Sequence, residues 1–271
     1  MNTDMIPIPE NLARIRSRIA EAAMRVGRDP ADVCLVAVTK TFPVALILEA
    51  WESGQRHFGE NRPEEGAEKI PQVARCLATN EGVEGELTKP ELNWIGALQP
   101  IWHMIGHVQS RKTDLVAAHF DLVHSVDRLK LARKLSRLAV DADREIPILL
   151  ECNVSGEASK YGYAAAGWQQ DAGVRARLAP EIEAVVALPG LRVEGLMTVA
   201  PIAADPEAVR PVFASLRGLR DWLREMFPHG RFPGVRWEHL SMGMSDDFEV
   251  AVEEGATLVR IGRAIFGPRT W

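Results

Sequence analysis

Short apolar runs and amphipathic stretches alternate along nearly the whole chain. The first stretch, Pro9 to Gly27, places Leu12, Ile15, Ile19, Ala22, Ala23 and Val26 at helical spacing, with a glycine directly after them. That pattern predicts a helix ended by a glycine stop. Beyond Asp29-Pro30 comes Val33-Cys34-Leu35-Val36-Ala37-Val38. It does not alternate with polar residues, as expected of a parallel strand covered on both faces. Strands are expected at Val33–Thr39, Arg56–Gly59, Trp102–His107, Leu122–Ser125, Ile146–Asn153, Arg192–Met197, Trp237–Ser241 and Thr257–Ile261. Helical patterns fall between them at Val44–Ser53, Pro63–Ala74, Lys112–Ala118, Arg128–Ala142, Asp171–Ala187, Asp205–Met226 and Ser245–Glu254. Strict alternation predicts an α/β protein with a parallel sheet, and eight such units in 271 residues match a (β/α)₈ (TIM) barrel. A doubly wound open sheet competes, but it usually has fewer strands, and no G-x-G-x-x-G follows the first strand. The rhythm breaks at Arg75–Pro100, which carries Gly82, Gly85, Pro90 and several acids. It reads as a surface insertion in a single domain spanning 1–271.

Composition narrows the function classes. An apolar fraction of 46% is ample for a core, and the net charge is −5. With a pI of about 5.9, the chain lacks the basic balance of a nucleic-acid binder. No run of about 18 apolar residues is present to cross a membrane. Met1 to Asn11 contains Asp4 and Glu10 and no apolar core, so no secretory signal is expected. Cys34, Cys76 and Cys152 form no C-x-x-C pair; sparse, odd thiols fit a reducing cytoplasm better than a disulfide framework. Of the seven histidines only His103 and His107 share a short spacing. On one strand they would face the same way, but two ligands make a weak zinc site and none is expected.

In a barrel, chemistry sits at the carboxyl ends of the strands. Those positions hold Lys40, Asn61, His107, Ser125 with Asp127, Asn153, Thr198, Ser241 and Arg260. Each alone has a bland explanation, since loops begin there. Lys40 is the sharpest: it follows six apolar residues and a threonine. Partial desolvation there would lower its pKa and free the amine to condense with an aldehyde. Arg260 is always charged; against a pyridine ring it would keep the ring nitrogen unprotonated and weaken the ring as an electron sink. The loop Ser241-Met242-Gly243-Met244-Ser245 and the later Gly262-Arg263 offer backbone N–H groups after the seventh and eighth strands, where barrels hold phosphate. A phosphate cup facing a strand-end lysine is what a pyridoxal phosphate site needs.

Six strings occur in one order: Val38-Thr39-Lys40-Thr41, Phe58-Gly59-Glu60-Asn61, His103 to Ser110, Asn153 to Lys160, Gly195-Leu196-Met197-Thr198, and Leu240 to Gly267. Together they closely resemble the pyridoxal phosphate homeostasis proteins, single-barrel relatives of the alanine racemase N-terminal domain. The resemblance covers about Leu12 to Gly267, without the insertion. It implies pyridoxal 5′-phosphate on Lys40 as a Schiff base and Arg260 facing the pyridine nitrogen. It implies phosphate contacts from Ser241, Gly243, Gly262 and Arg263, and places Asn61, His107, Thr198 and Met242 around the cofactor. Arg263 departs from the family, which more often has a small hydroxyl residue there; its guanidinium either adds charge near the phosphate or turns outward.

The family is not known for a robust reaction. Alanine racemase takes a second acid/base, a tyrosine, from an additional β domain. Only ten residues follow Ile261, and the only tyrosines are Tyr161 and Tyr163. The expectation is therefore a carrier and regulator of cofactor supply, not an enzyme, that passes pyridoxal phosphate to apo-enzymes in the cytoplasm. Lys160, on a loop between Gly156 and Gly162, is a candidate aid to release; the simpler reading is a solvated lysine. Two enzymatic alternatives stay open: an amino-acid racemase using Tyr161 or Tyr163, and a Schiff-base aldolase acting on a sugar phosphate through Lys40.

Overall fold

The computed structural model describes residues 7–81 and 99–268. Eight parallel strands close on themselves: β1 (Cys34–Val38), β2 (His57–Glu60), β3 (Ile101–Met104), β4 (Leu122–Val126), β5 (Ile146–Asn153), β7 (Leu191–Met197), β8 (Val235–Ser241) and β9 (Leu258–Ile261). A two-residue strand, β6 (Tyr163–Ala164), adds to β5 outside this ring. Closure rests on two pairings. β1 lies beside β9, with Cys34 opposite Leu258 and Ala37 opposite Ile261, and β4 lies beside β5, with Val123 opposite Ile148. The chain is thus an eight-stranded α/β barrel.

Helices α1 (Ile8–Arg25), α2 (Val44–Glu52), α3 (Pro63–Glu81), α4 (Thr113–His119), α5 (Leu129–Asp141), α6 (Ala172–Val186), α7 (Arg210–Met226), α8 (Phe248–Glu253) and α9 (Arg263–Phe266) accompany the strands. α1 buries Leu12, Ile15, Ile19, Ala22 and Ala23, the face its periodicity predicts; each large side chain contributes on the order of 2 kcal/mol. Gly27, at φ +70°, ends the run. The main apolar cluster joins strand residues such as Leu35, Phe58 and Met104 to helix residues such as Leu12, Leu131 and Phe213, and a smaller one of Val36, Leu122, Leu149, Met197 and Leu258 draws on five different strands.

Several boundaries differ from expectation. β3 stops at Met104 instead of running to His107, because Gly106 packs against the Asn61 backbone, where a Cβ would lie 2.2 Å from the carbonyl oxygen. His103 and His107 therefore do not share a strand face. α3 continues past Ala74 to Glu81, so the expected insertion begins as helix; residues 82–98 of it lie outside those described. The Ser245–Glu254 pattern becomes a turn followed by a helix starting at Phe248. Pro206–Val209 forms a 3₁₀ turn ahead of α7.

Candidate functional site

The turn that carries Lys40 is clamped from behind. Thr39 is fully buried; its hydroxyl donates to Glu60 Oε1 at 2.7 Å, and its carbonyl accepts from Lys69 Nζ at 2.8 Å. Lys69 also bonds Glu60 and Glu65, and Glu65 accepts the Thr41 N–H. Thr41 sits at φ +68°, a region costing a β-branched residue on the order of 1–3 kcal/mol; these ion-paired contacts hold it there. Burial lifts the Glu60 carboxyl above its ordinary range, opposed by the Lys69 charge. Lys40 itself is half-buried at the mouth.

The ends of β8 and β9 meet this turn. Gly262 lies against β1: a Cβ there would be 3.2 Å from both the Cβ and the carbonyl oxygen of Val38. Gly243, at φ +94°, has Ala251 Cβ 2.6 Å from where its own Cβ would stand. Its carbonyl accepts the Arg260 N–H at 3.0 Å, locking the two turns together. The Arg260 side chain is buried; Nη1 donates to Ser241 Oγ at 2.5 Å and Nη2 to the Thr198 carbonyl at 2.8 Å. Burial lowers its pKa to about 10, opposed by Asp247 and Glu151, so it stays cationic at neutral pH. Thr198 donates its hydroxyl to the Cys152 carbonyl. Lys40, Thr198, Ser241, Gly243, Arg260 and Gly262 thus belong to one rim.

Other expected residues sit differently. Met242 is fully buried in the main apolar cluster. The Arg263 guanidinium turns outward and is held by both carboxylate oxygens of Asp246, at 2.8 and 2.7 Å, which settles the choice its sequence position left open. Asn61 is half-buried beside Gly106. His107 Nδ1 lies 3.0 Å from Asp127 Oδ2, a close approach short of hydrogen-bond alignment, and its ring stacks on Tyr161 with centroids 4.0 Å apart. Lys160 reaches across to the Ala200 carbonyl at 3.5 Å, and Tyr161 is exposed. Tyr163, by contrast, is buried in the apolar cluster with its hydroxyl unpartnered, and its pKa is driven up chiefly by that burial.

Sequence reasoning missed a row of histidines. His57, His103 and His124, all buried, form a continuous row: His57 Nδ1 to His103 Nε2 at 3.0 Å, His103 Nδ1 to His124 Nε2 at 2.8 Å, His124 Nδ1 to Ser241 Oγ at 2.8 Å. Burial holds His103 and His124 far below the usual imidazole range; the next largest contribution comes from His124 for His103 and from Arg260 for His124. The available signal was a histidine inside each of three successive apolar strands. The clamp residues Glu60, Glu65 and Lys69 were also missed; only their place after the second strand hinted at them.

Comparison with known proteins gives a consistent family. The profile of the "Alanine racemase, N-terminal domain" family matches residues 11–270. The chain is 42% identical over 267 residues to the pyridoxal phosphate homeostasis protein of Pseudomonas aeruginosa, covering 98% of each. To that of Escherichia coli K12 it is 36% identical over 272 residues, covering 98% of this chain and 99% of the relative. Among solved structures it is similar to PipY of Synechococcus elongatus with PLP bound: TM-score 0.72, 32% identity, 96% of this chain and 100% of that one. An alanine racemase of Clostridium difficile, at 14% identity, TM-score 0.61 and 95% against 56% coverage, shares the barrel fold.

Proposed function

The chain belongs to the pyridoxal phosphate homeostasis proteins, within the alanine racemase N-terminal domain family, and from that premise we propose that it binds pyridoxal 5′-phosphate at the barrel mouth through Lys40. There it acts as an intracellular carrier and regulator of the cofactor, handing it to apo-enzymes, without robust catalysis of its own. The observation that carries this reading is the convergence of the Lys40 turn, the Gly262 turn packed on Val38 and the buried Arg260 guanidinium on one rim.

The donor set fits the cofactor. A half-buried amine suits the aldehyde, two glycine turns suit a phosphate approached by backbone N–H groups, and Arg260 suits a pyridine nitrogen that accepts a hydrogen bond. Asn61, His107, Thr198, Ser241, Met242, Gly243 and Arg263 complete the expected set. Of these, Ser241 lies beneath Arg260, and Arg263 contributes its backbone only. When bound, the cofactor supplies a reactive aldehyde and an electron-withdrawing ring; Arg260 opposes protonation of that ring and so restrains carbanion chemistry.

A racemase keeps one tyrosine near the rim, Tyr161, which stacks on His107; burial of Tyr163 takes the other away from solvent. Borohydride reduction followed by peptide mass spectrometry tests the main reading: a pyridoxyl adduct is expected on Lys40, and an adduct elsewhere, or none after loading, overturns it. Deuterium wash-in at the α-carbon of a panel of amino acids, expected to be absent on the turnover timescale, separates carrier from racemase.

A further inference from the structure

Beneath the mouth, the histidine row solves a problem of hydrogen-bond direction. A neutral imidazole has one N–H and one lone pair. His103 and His124 are buried, and Ser241 joins His124 to the cationic Arg260; added positive charge there is strongly disfavoured, so both rings stay neutral. In a row joined Nδ1 to Nε2, fixing one ring fixes the others.

Ser241 sets the direction. Its hydroxyl oxygen accepts an N–H from Arg260, which has no lone pair to offer in return. The single Ser241 O–H is fully buried and needs an acceptor. Among the described contacts of this hydroxyl, only His124 Nδ1 can accept. His124 then carries its proton on Nε2 and donates to His103 Nδ1; His103 in turn donates from Nε2 to His57 Nδ1. Every lone pair in the row faces Arg260, and every proton points away from it. The row is a line of dipoles whose negative ends face the guanidinium, in a low-dielectric interior where such alignment is effective.

We propose that His124, His103 and His57 are positioning residues for Arg260: acting through Ser241 as one directional row, they hold the guanidinium in place beneath the cofactor. The Thr198 carbonyl holds its other arm. At its far end, His57 borders an open pocket of about 380 Å³ beside the starts of β1 and β2, lined also by Arg16, Cys34, Gln55 and Arg56. The direction of the row rests on the contacts alone; its purpose rests on the functional reading above.

The test separates the two. Two-bond ¹H–¹⁵N correlation spectra of ¹⁵N-histidine-labelled, ligand-free protein report the tautomer of each ring. All three rings are expected as Nε2–H across pH 6–8. An Nδ1–H or imidazolium form of His103 or His124 overturns the row. Arg260→Met removes the donor that fixes the direction, and the rings are expected to become a mixture of tautomers; a pure Nε2–H spectrum in that variant shows that something else sets it. Cofactor affinity, measured by absorbance on titration with pyridoxal 5′-phosphate, then tests the purpose. His103→Leu, which cuts the row, is expected to weaken binding at least fivefold. His103→Gln, which offers one donor and one acceptor, is expected to restore it to within twofold. Equal losses in both variants overturn the positioning role. A wild-type protein that takes up no cofactor fails the functional reading instead, and the tautomer result stands or falls separately.

Discussion

The rim formed by β1, β8 and β9 and the rim formed by the loops after β3 and β5 face each other across one mouth, yet they are built differently. On the first, Glu60, Lys69 and Glu65 grip the Lys40 turn. Arg260 is bonded to Ser241 and Thr198, and two glycines press backbone against backbone. On the second, an exposed Tyr161 leans on His107, and Lys160 makes long contacts to the Ala200 carbonyl and to Glu157. Buried, charge-assisted contacts are strong and costly to break, whereas exposed stacking and long surface contacts are weak and readily remade. A carrier needs both: an anchor whose geometry does not drift, and a cover that opens on the timescale of transfer.

The largest effect expected is on the anchor. Lys40→Ala removes the amine, and no borohydride-reducible adduct is expected after loading, while far-UV circular dichroism stays unchanged because the residue is only half-buried. A persistent adduct of wild-type yield would place the covalent link elsewhere.

Next comes Gly243→Ala. The new Cβ would stand 2.6 Å from Ala251 Cβ at φ +94°, combining overpacking with a left-handed backbone, at about 3 kcal/mol. Urea unfolding should show a loss of that order with cofactor affinity falling alongside; an unchanged midpoint would mean the turn relaxes freely.

Glu151, buried near the end of β5, feels charges from both rims. Burial, then the Asp127 charge, lifts its pKa from 4.5 to about 7, against the pull of Arg260 and Lys160. An acid with a raised folded-state pKa binds its proton more tightly when folded. Stability should therefore fall as pH rises from the unfolded value towards about 7, by about 3 kcal/mol in total. Glu151→Gln is expected to be more stable than wild type by roughly 2–3 kcal/mol at pH 8 and by well under half of that at pH 5. Parallel pH profiles for the two proteins would remove the carboxylate as the cause.

What could be read from the chain follows the same division. Lys40, Thr198, Ser241 and Arg260 were legible because strict strand–helix alternation places each strand end at one mouth, whatever the details of tilt. The reach of a side chain was not legible. Ser241 reads as a candidate phosphate ligand; that its hydroxyl also meets Arg260 and His124 depends on strand tilt, which leaves no mark in the sequence. His103 was paired with His107 by spacing, but β3 ends at Met104, and its true neighbours come from β2 and β4. β6 and α9, of two and four residues, are too short to leave a periodic signal. The apolar run Ile105-Gly106 extends the appearance of β3 because a tight turn against Asn61 requires glycine as much as a strand tolerates it.

On the weaker rim, the effects should be kinetic. Tyr161→Ala removes stacking worth about 1 kcal/mol, so cofactor release to an apo-enzyme is expected to quicken by roughly fivefold with no change in the unfolding midpoint. An unchanged release rate would mean that the ring covers nothing.

The smallest effect is expected at Lys160, and it has the opposite sign if the side chain assists release. Its contacts to the Ala200 carbonyl at 3.5 Å and to Glu157 at 3.7 Å are each worth less than about 1 kcal/mol, so Lys160→Ala should leave stability untouched. A lysine that merely props the cover would, on removal, quicken release as Tyr161→Ala does. One that competes for the cofactor aldehyde, or draws its phosphate away from the glycine turns, would slow release. Transfer to an apo-enzyme at the wild-type rate would rule out both roles and leave Lys160 a solvated loop residue. Combining it with Tyr161→Ala sharpens the result: additive changes in rate mean two independent latches, whereas a double variant no different from Tyr161→Ala means that the loop moves as one piece and that the stacked ring holds it.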